Sequence, residues 1–395
     1  MATNTILIRI TGPDRPGITA ALMGILAQAD TRIDDIEQIV IRGRLILTLI
    51  VTVDPDTDLR ADLLLFAYEQ KVQLDFDFVE ATPSATVPRL VVTLLGARIA
   101  AEEVQAIAGV LAANGANIDR IVRLAREPVM AYELVVSSDD RESVASALLE
   151  RAHSLTCDIA VQRQGLRRRN KRMVFLDVDS TLIQDEVIEL LAAEAGRHDE
   201  VAEITARAMA GELDFKESLT TRVAALAGLP ESALDEVKAK VRLTPGAEVF
   251  IGTLHHLGYK TAIVSGGFTA VTAHLAAQLG IDFHHANELE IVDGVLTGRT
   301  IGPIVDRQEK ATFLRHTAAA AGIPLDQVVA VGDGANDLDM LSTAGLGIAF
   351  NARPVVRQAA DAAVNVPYLD AILFVLGFNR TEIEEAEATW RPPSA

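Results

Sequence analysis

The front of the chain is written twice, and that duplication limits its fold more than any other feature. The segment "GILAQADTRIDDI", Gly24 to Ile36, returns as "GVLAANGANIDRI", Gly109 to Ile121, with Gly, Leu, Ala, Ile, Asp and Ile kept at a constant offset. A unit repeated in this way is one supersecondary block used twice. Before each copy lies an alternating apolar run, "TILIRITG" from Thr5 and "RLVVTLLG" from Arg89. After each comes a second β-rich run, "RLILTLIVTVD" from Arg44 and "VMAYELVVSS" from Val129. An amphipathic helical stretch follows, and then "VQLDFDFVEA" from Val72 or "CDIAVQRQ" from Cys157. Each unit therefore reads strand–helix–strand–strand–helix–strand, the split βαβ order of a small α+β sandwich. Domain limits of 1–84 and 85–165 follow.

The joint "RQGLRRRNKR", Arg163 to Arg172, is a basic run. The whole chain carries a net charge of −19, and no aromatic residue interrupts the run. A solvated linker over 166–172 is expected, and a nucleic-acid footprint is not.

From residue 173 to 395 the pattern changes. "FLDVDSTLI", Phe175 to Ile183, ends an apolar strand with two carboxylates, Asp177 and Asp179, separated by Val178. Strand side chains alternate, so both acids point the same way. Like charges held that close favour protonation of one of them. Helical text then runs from Asp185 to about Val241, a cap over residues 183–244. Past Pro245, strands and helices alternate through "KTAIVSGG", "QVVAVGDGAND" and "GLGIAF". That rhythm predicts a Rossmann-like parallel sheet with helices on both faces. Asp293-Gly294 between two apolar runs predicts a hairpin.

In such sheets ligands sit beyond the carboxyl ends of the strands. "DVDST", "SGG" (Ser265 to Gly267) and "GDGAND" (Gly332 to Asp337) fall at such ends, with Lys310 opening a helix between the last two. Singly, a Ser-Gly-Gly is a turn and a helix lysine is usually solvated. Carboxylates closing a buried strand are the stronger signal. Together, in this order, they form a specific set.

The remaining composition bounds the setting. A chain of 395 residues, 49% hydrophobic and 4% aromatic, suits two or three domains with aliphatic cores. Cys157 is the single cysteine, which excludes an intramolecular disulfide and fits a reducing compartment. The start "MATNTILIRITGPDR" has neither a basic n-region nor a long apolar h-region, so no signal peptide is expected. The uncharged stretch Thr261 to Ile281 contains Ser265, Gly266, Gly267, His274 and Gln278 and reads as strand–loop–helix rather than a membrane span. A soluble, cytoplasmic protein is expected, with neither nucleic acid nor membrane as partner.

The front units, with "GPDRPGI" between first strand and first helix, resemble ACT domains. Pro16 fixes a turn there, and Gly17 lets backbone N–H groups approach a small anion at a helix start. The resemblance implies amino-acid binding between paired units, serine being the candidate effector, and a homodimer or higher homo-oligomer. Asp14, Gly17 and Asn117 are the candidate effector contacts. The second unit departs from the loop pattern, having "GARIAAEE" there, so a purely architectural role stays open.

The back half resembles the haloacid dehalogenase-like phosphatases. "DSTLIQDEVIELLA", "AMAGELDFKESLTTRV", "VSGGF" and "VGDGANDLDML" narrow the likeness to members acting on O-phospho-L-serine, at the last step of serine biosynthesis. The resemblance implies Asp177 as nucleophile and Asp179 as acid and base. It implies Mg²⁺ held by Asp177, Asp333 and the backbone carbonyl of Asp179, with Asp337 in an outer layer. Ser265, Gly266 and Lys310 would hold the phosphoryl group, and Asn336 would face substrate. Glu186 would meet the ammonium, Arg222 the carboxylate, and Met209 and Phe215 would form an apolar lid. Another capped phosphatase of this superfamily, or an amino-acid sensor with a decayed catalytic half, are the alternatives.

Overall fold

The computed structural model describes residues 4–54, 56–80, 88–152, 154–209 and 214–390, with the backbone alone over 206–209. The chain forms two compact units, 1–86 and 87–395.

The first unit has the expected element order: β1 (Asn4–Pro13), α1 (Ile18–Gln28), β2 (Arg32–Ile41), β3 (Arg44–Val53), α2 (Arg60–Gln70) and β4 (Gln73–Val79). The strands form an antiparallel sheet in the order β2-β3-β1-β4. Alternation in "RLILTLIVTV" buries Leu45, Leu47, Leu49, Val51 and Val53 on one face. Ile18, Leu22 and Leu26 of α1 and Leu63 and Phe66 of α2 join the same apolar core. Burial of aliphatic area of this kind is the main force holding the unit together.

The second unit opens with the repeat: β5 (Arg89–Gly96), α3 (Ala101–Ala113), β6 (Asn117–Ala125), β7 (Met130–Ser137), α4 (Arg141–Ala152) and β8 (Asp158–Arg163). Here the order is β6-β7-β5-β8, and β8 continues sideways into the sheet of the back half.

The basic joint differs from expectation. Residues Leu166–Arg169 form a short helix, α5. Arg168 is buried and donates to Glu133 Oε2 at 2.7 Å, while the Lys171 ammonium is buried and donates to the carbonyls of Asp326 and Gly345. These two cations stitch the repeat to the catalytic half, where a carboxylate and two carbonyls replace water. Arg167 and Arg169 keep the exposed character expected of the run.

The back half contains β9 (Met173–Leu176), the cap helices α6 (Val187–Glu194), α7 (His198–Met209), α8 (Phe215–Ala224) and α9 (Ser232–Lys240), and then α10 (Ala247–His256). It continues with β10 (Lys260–Phe268), α11 (Thr269–Leu279), β11 (Phe283–Val292), β12 (Val295–Ile301), α12 (Arg307–Ala320), β13 (Val328–Gly332), β14 (Leu346–Phe350) and β15 (Ala362–Val364). Strands β11-β10-β9-β13-β14-β15 run parallel, with β12 antiparallel at the edge. Strands β9, β13 and β14 are buried at every position, as a sheet covered on both faces requires.

The cap is fastened at two places. Its entry and exit segments pair at Ile183 and Leu243. Its α8–α9 connection pairs with the hairpin through Pro230 and Val295, and Gly228 and Leu229 exchange backbone hydrogen bonds with Leu296. The hairpin turn is Asp293-Gly294, with φ of 51° and 73°, the type I′ geometry expected of Asp-Gly.

The charged C-terminal segment forms a helix over Arg380–Thr389 that buries Ile383 and Ala386. Trp390 follows it and lies on Gly252 of α10, where a Cβ would come within 2.6 Å of the indole. Among the described residues no helix is long and apolar enough to cross a membrane.

Candidate active site

The chain leaves β9 still extended. Asp177 (φ −66°, ψ 163°) and Asp179 (φ −62°, ψ 131°) are extended on either side of the buried Val178, which belongs to the turn that follows the strand, and both acids line one cleft of about 460 Å³. Ser180 then turns left-handed at φ 57°, an uncommon state for a serine. Its hydroxyl donates to Glu186 Oε1 at 2.8 Å and ties the turn to the first cap helix.

Beneath the cleft lies a buried charge cluster. Lys310, one turn into α12, is fully buried, with its ammonium 2.8 Å from both Asp177 Oδ1 and Asp337 Oδ1. Burial alone would lower the lysine pKa, but the two carboxylates reverse this and hold it above its ordinary value. Asp177 is pushed well above the usual carboxylate range, by burial first and then by Asp337, with Lys310 opposing. Asp333 is raised to about 6 by burial and Asp337. Asp337 fits under the loop because residue 332 is glycine: a Cβ there would lie 2.4 Å from its carboxyl carbon.

Asp179 has different partners. Its Oδ2 accepts from the Ser265 hydroxyl at 2.7 Å and its Oδ1 from the Val187 amide at 2.8 Å. The two neighbouring acids are thus separated by environment, one against an ammonium and one against a hydroxyl and an amide.

The cap closes the other side. Glu186 and Arg222 line the same cleft. Burial, followed by Asp179, raises Glu186 to about 7; burial lowers Arg222, with Glu186 and Asp179 opposing. The Phe215 ring rests on Gly266, where a Cβ would lie 3.1 Å away. Lys216, next to it, pairs with Asp306 at 3.0 Å. Asn336 is half-buried and also lines the cleft. Met209 ends α7, and its side chain lies outside the described residues.

The acids suit a hard divalent cation. Asp177, Asp333 and Asp337 bring carboxylate oxygens within 4.8 Å of one another, a set of hard oxygen donors that could hold such an ion. Asp337 has both oxygens engaged, Oδ1 by Lys310 and Oδ2 by the Gly334 amide, whereas the Lys310 and Val178 contacts of Asp177 both fall on its Oδ1.

Of the effector candidates, Asp14 and Gly17 belong to the first unit and Asn117 to the second. Gly17 precedes α1 at φ 97° without a side-chain cap. Asn117 donates to Asp119, which also accepts from Ser137 and pairs with Arg89.

Three residues escaped the sequence reading. Thr181 donates to Asp333 at 3.3 Å, and Thr244 donates to the Thr181 carbonyl at 2.7 Å. Arg353 lines the cleft just after β14. The strand-end rule that found the other motifs would also have pointed to "NARP" after "GIAF".

Comparison with known proteins agrees with this geometry. Residues 174–342 match the haloacid dehalogenase-like hydrolase family, and residues 4–77 and 89–162 each match the ACT domain family. The chain is 55% identical to a phosphoserine phosphatase of Streptomyces coelicolor, over 97% of this chain and 94% of that one. It is 47% identical to a phosphoserine phosphatase of Mycobacterium tuberculosis, over 97% and 96%. A solved structure described as a probable phosphoserine phosphatase from Vibrio cholerae, unliganded, aligns with a TM-score of 0.57 at 32% identity, covering 79% of this chain and 93% of that one.

Proposed function

The chain belongs to the phosphoserine phosphatases, haloacid dehalogenase-like hydrolases that here carry two ACT domains in front, and we propose that it hydrolyses O-phospho-L-serine through an aspartyl-phosphate on Asp177. Two acids with one residue between them and unlike partners carry this reading: Asp177 with Lys310, Asp179 with Ser265 and the Val187 amide.

A carboxylate oxygen of Asp177 attacks phosphorus in line as the bond to the seryl oxygen breaks, and Asp179 gives that oxygen its proton. Water then attacks the aspartyl-phosphate while Asp179 takes a proton back. The bond to Asp177 breaks, phosphate leaves, and both acids are restored. Lys310 keeps its charge throughout and, with the Ser265 hydroxyl and the Gly266 amide, holds phosphoryl oxygens. Asp177, Asp333 and the carbonyl of Asp179 would hold Mg²⁺, which would supply the positive charge that lets an anionic phosphoryl group approach these acids. Asp337 stays in the outer layer and keeps Lys310 in place, and Asn336 faces the substrate.

Substrate choice is assigned to the cap. Glu186 receives the ammonium and Arg222 the carboxylate of phosphoserine, with Met209 and Phe215 excluding water. The functional division is 1–84 and 85–165 as regulatory units, 166–172 as joint, and 173–395 as the enzyme of the last step of serine biosynthesis, in the cytoplasm. An amino acid, serine first, binds the ACT units of a homodimer near Asp14, Gly17 or Asn117 and shifts the rate by favouring one arrangement of the assembly. Calorimetry on the full chain checks this: no heat with serine or other amino acids leaves the ACT units architectural.

Phosphate release across a panel of phosphomonoesters, with Mg²⁺ or with a chelator, tests the activity. Phosphoserine is expected to rank first and to depend on the metal. Phosphoserine ranking far below another ester would overturn the substrate.

A further inference from the structure

Asn287 sits on β11 behind the wall of the cleft, almost fully buried. Its Nδ2 donates to the Gly266 carbonyl at 2.7 Å, and its Oδ1 accepts from the Val305 amide at 2.8 Å. One side chain therefore joins the Ser-Gly-Gly loop to the segment that enters α12. Val305 is followed directly by Asp306, whose carboxylate caps α12 by accepting from the Glu309 amide, and Lys310 comes next.

The loop needs such a fastening. Pairing between β10 and β11 runs regularly to Val264–His285 and resumes only at Phe268–Asn287, so Ser265, Gly266 and Gly267 leave the ladder. Two adjacent glycines do not fix their shared peptide by side-chain sterics. Here that peptide is held from both sides. Its carbonyl accepts from Asn287, its N–H donates to Ser265 Oγ at 2.7 Å, and Ser265 Oγ donates to Asp179 Oδ2 at 2.7 Å. Every donor points the same way, from Asn287 to Asp179, and hydrogen bonds chained like this strengthen one another.

We propose that Asn287 is a positioning residue for phosphoryl transfer: it fixes the Gly266–Gly267 peptide against the start of α12 and so aims the Ser265 hydroxyl and the Gly266 amide. The inference rests on the phosphatase reading of the cleft and adds to it a residue that touches no substrate. A buried asparagine that only closed a loop would change stability. One that aims phosphoryl donors also changes how the enzyme treats phosphate itself.

The test compares Asn287→Ala and Asn287→Asp with the full-length wild type, on O-phospho-L-serine and on p-nitrophenyl phosphate. Inhibition by inorganic phosphate and thermal unfolding are followed in parallel. For the Ala variant, well below its melting temperature, kcat/KM on both esters is expected to fall about 100-fold, with weaker inhibition by phosphate, because small misplacements of reacting groups cost on that order. A protonated carboxyl at 287 can both donate to Gly266 and accept from Val305. The Asp variant is therefore expected to regain part of the lost rate, more near pH 6 than near pH 8. A folded Ala variant within about threefold of wild type overturns the proposal, given the 100-fold scale expected of misplacement. So do equal rates for the two variants at both pH values, or failure of both to fold, which would make Asn287 a folding residue. Wild-type protein that hydrolyses p-nitrophenyl phosphate but not phosphoserine would refute the substrate reading and leave this comparison intact.

Discussion

Replacing Lys310 by methionine removes the cation on which the buried cluster depends. Its ammonium meets Asp177 and Asp337 at 2.8 Å each, and all three side chains are shielded from water. At an effective dielectric near 20, a contact at that distance is worth about 6 kcal/mol of attraction. Desolvation of each ion opposes this by several kcal/mol, so forming the cluster gains little net. Removing one member is different, because two carboxylates then remain buried without it; the cost is about 3–5 kcal/mol. Trp390, the single tryptophan, packs on α10 and reports on unfolding of the catalytic half. Urea unfolding followed by its fluorescence in chelator at pH 7.5 should show that loss. The lysine pKa is raised on folding, so its contribution is complete below the unfolded value of about 10.4 and fades only as pH rises through the folded one. In the variant Asp177, already raised by burial and no longer opposed by the lysine charge, protonates more readily, so the deficit shrinks as pH falls toward 5. Phosphoserine turnover should drop about 10³-fold, the scale of losing a preorganised charge. A variant within about 1 kcal/mol of wild type at pH 7.5, well under the cost of breaking a buried pair, would refute the role given to Lys310.

Arg222→Ala should raise KM for phosphoserine by the about 1.5–3 kcal/mol of a charged hydrogen bond, while p-nitrophenyl phosphate, which has no carboxylate, keeps its KM. Parallel losses on both esters would remove Arg222 from substrate selection. Cys157 is buried, and burial followed by the charge of Glu103 pushes its thiol to about 12. It should resist alkylation at pH 8 in the folded protein and react in urea; rapid labelling of the folded chain would contradict its packing.

The sequence exposed most of what local chemistry decides. Two copies of one strand–helix pattern announced the α+β units, Asp177, Asp179, Ser265 and Asp333 stood out as polar residues at the ends of apolar strands, and Lys310 as a cation opening the helix between two of them. Asp293-Gly294 turned where its backbone preference requires. Residues whose duty depends on a partner far along the chain gave no such sign. Asn287 reads as an ordinary polar residue in a strand until the bulge at Ser265–Gly267 brings it to Gly266 and Val305. Arg168 lies in a run of arginines and lysines that reads as solvated, yet Glu133 draws it into the seam between β7 and α5. Thr181 is a plain motif residue until Asp333, on another strand end, receives its hydroxyl. The joining of β8 to β15 was equally invisible, because one backbone bridge at Ala160 and Ala362 leaves no mark in composition.

Asp177 is the residue proposed to carry the phosphoryl group. Rapid acid quenching of the enzyme with phosphate-labelled phosphoserine, followed by peptide mapping, should find the label on Asp177 as a hydroxylamine-sensitive acyl phosphate. Asp177→Asn, with unchanged Trp390 fluorescence, should show neither label nor turnover. Label on another residue, or phosphate release by Asp177→Asn, would contradict it.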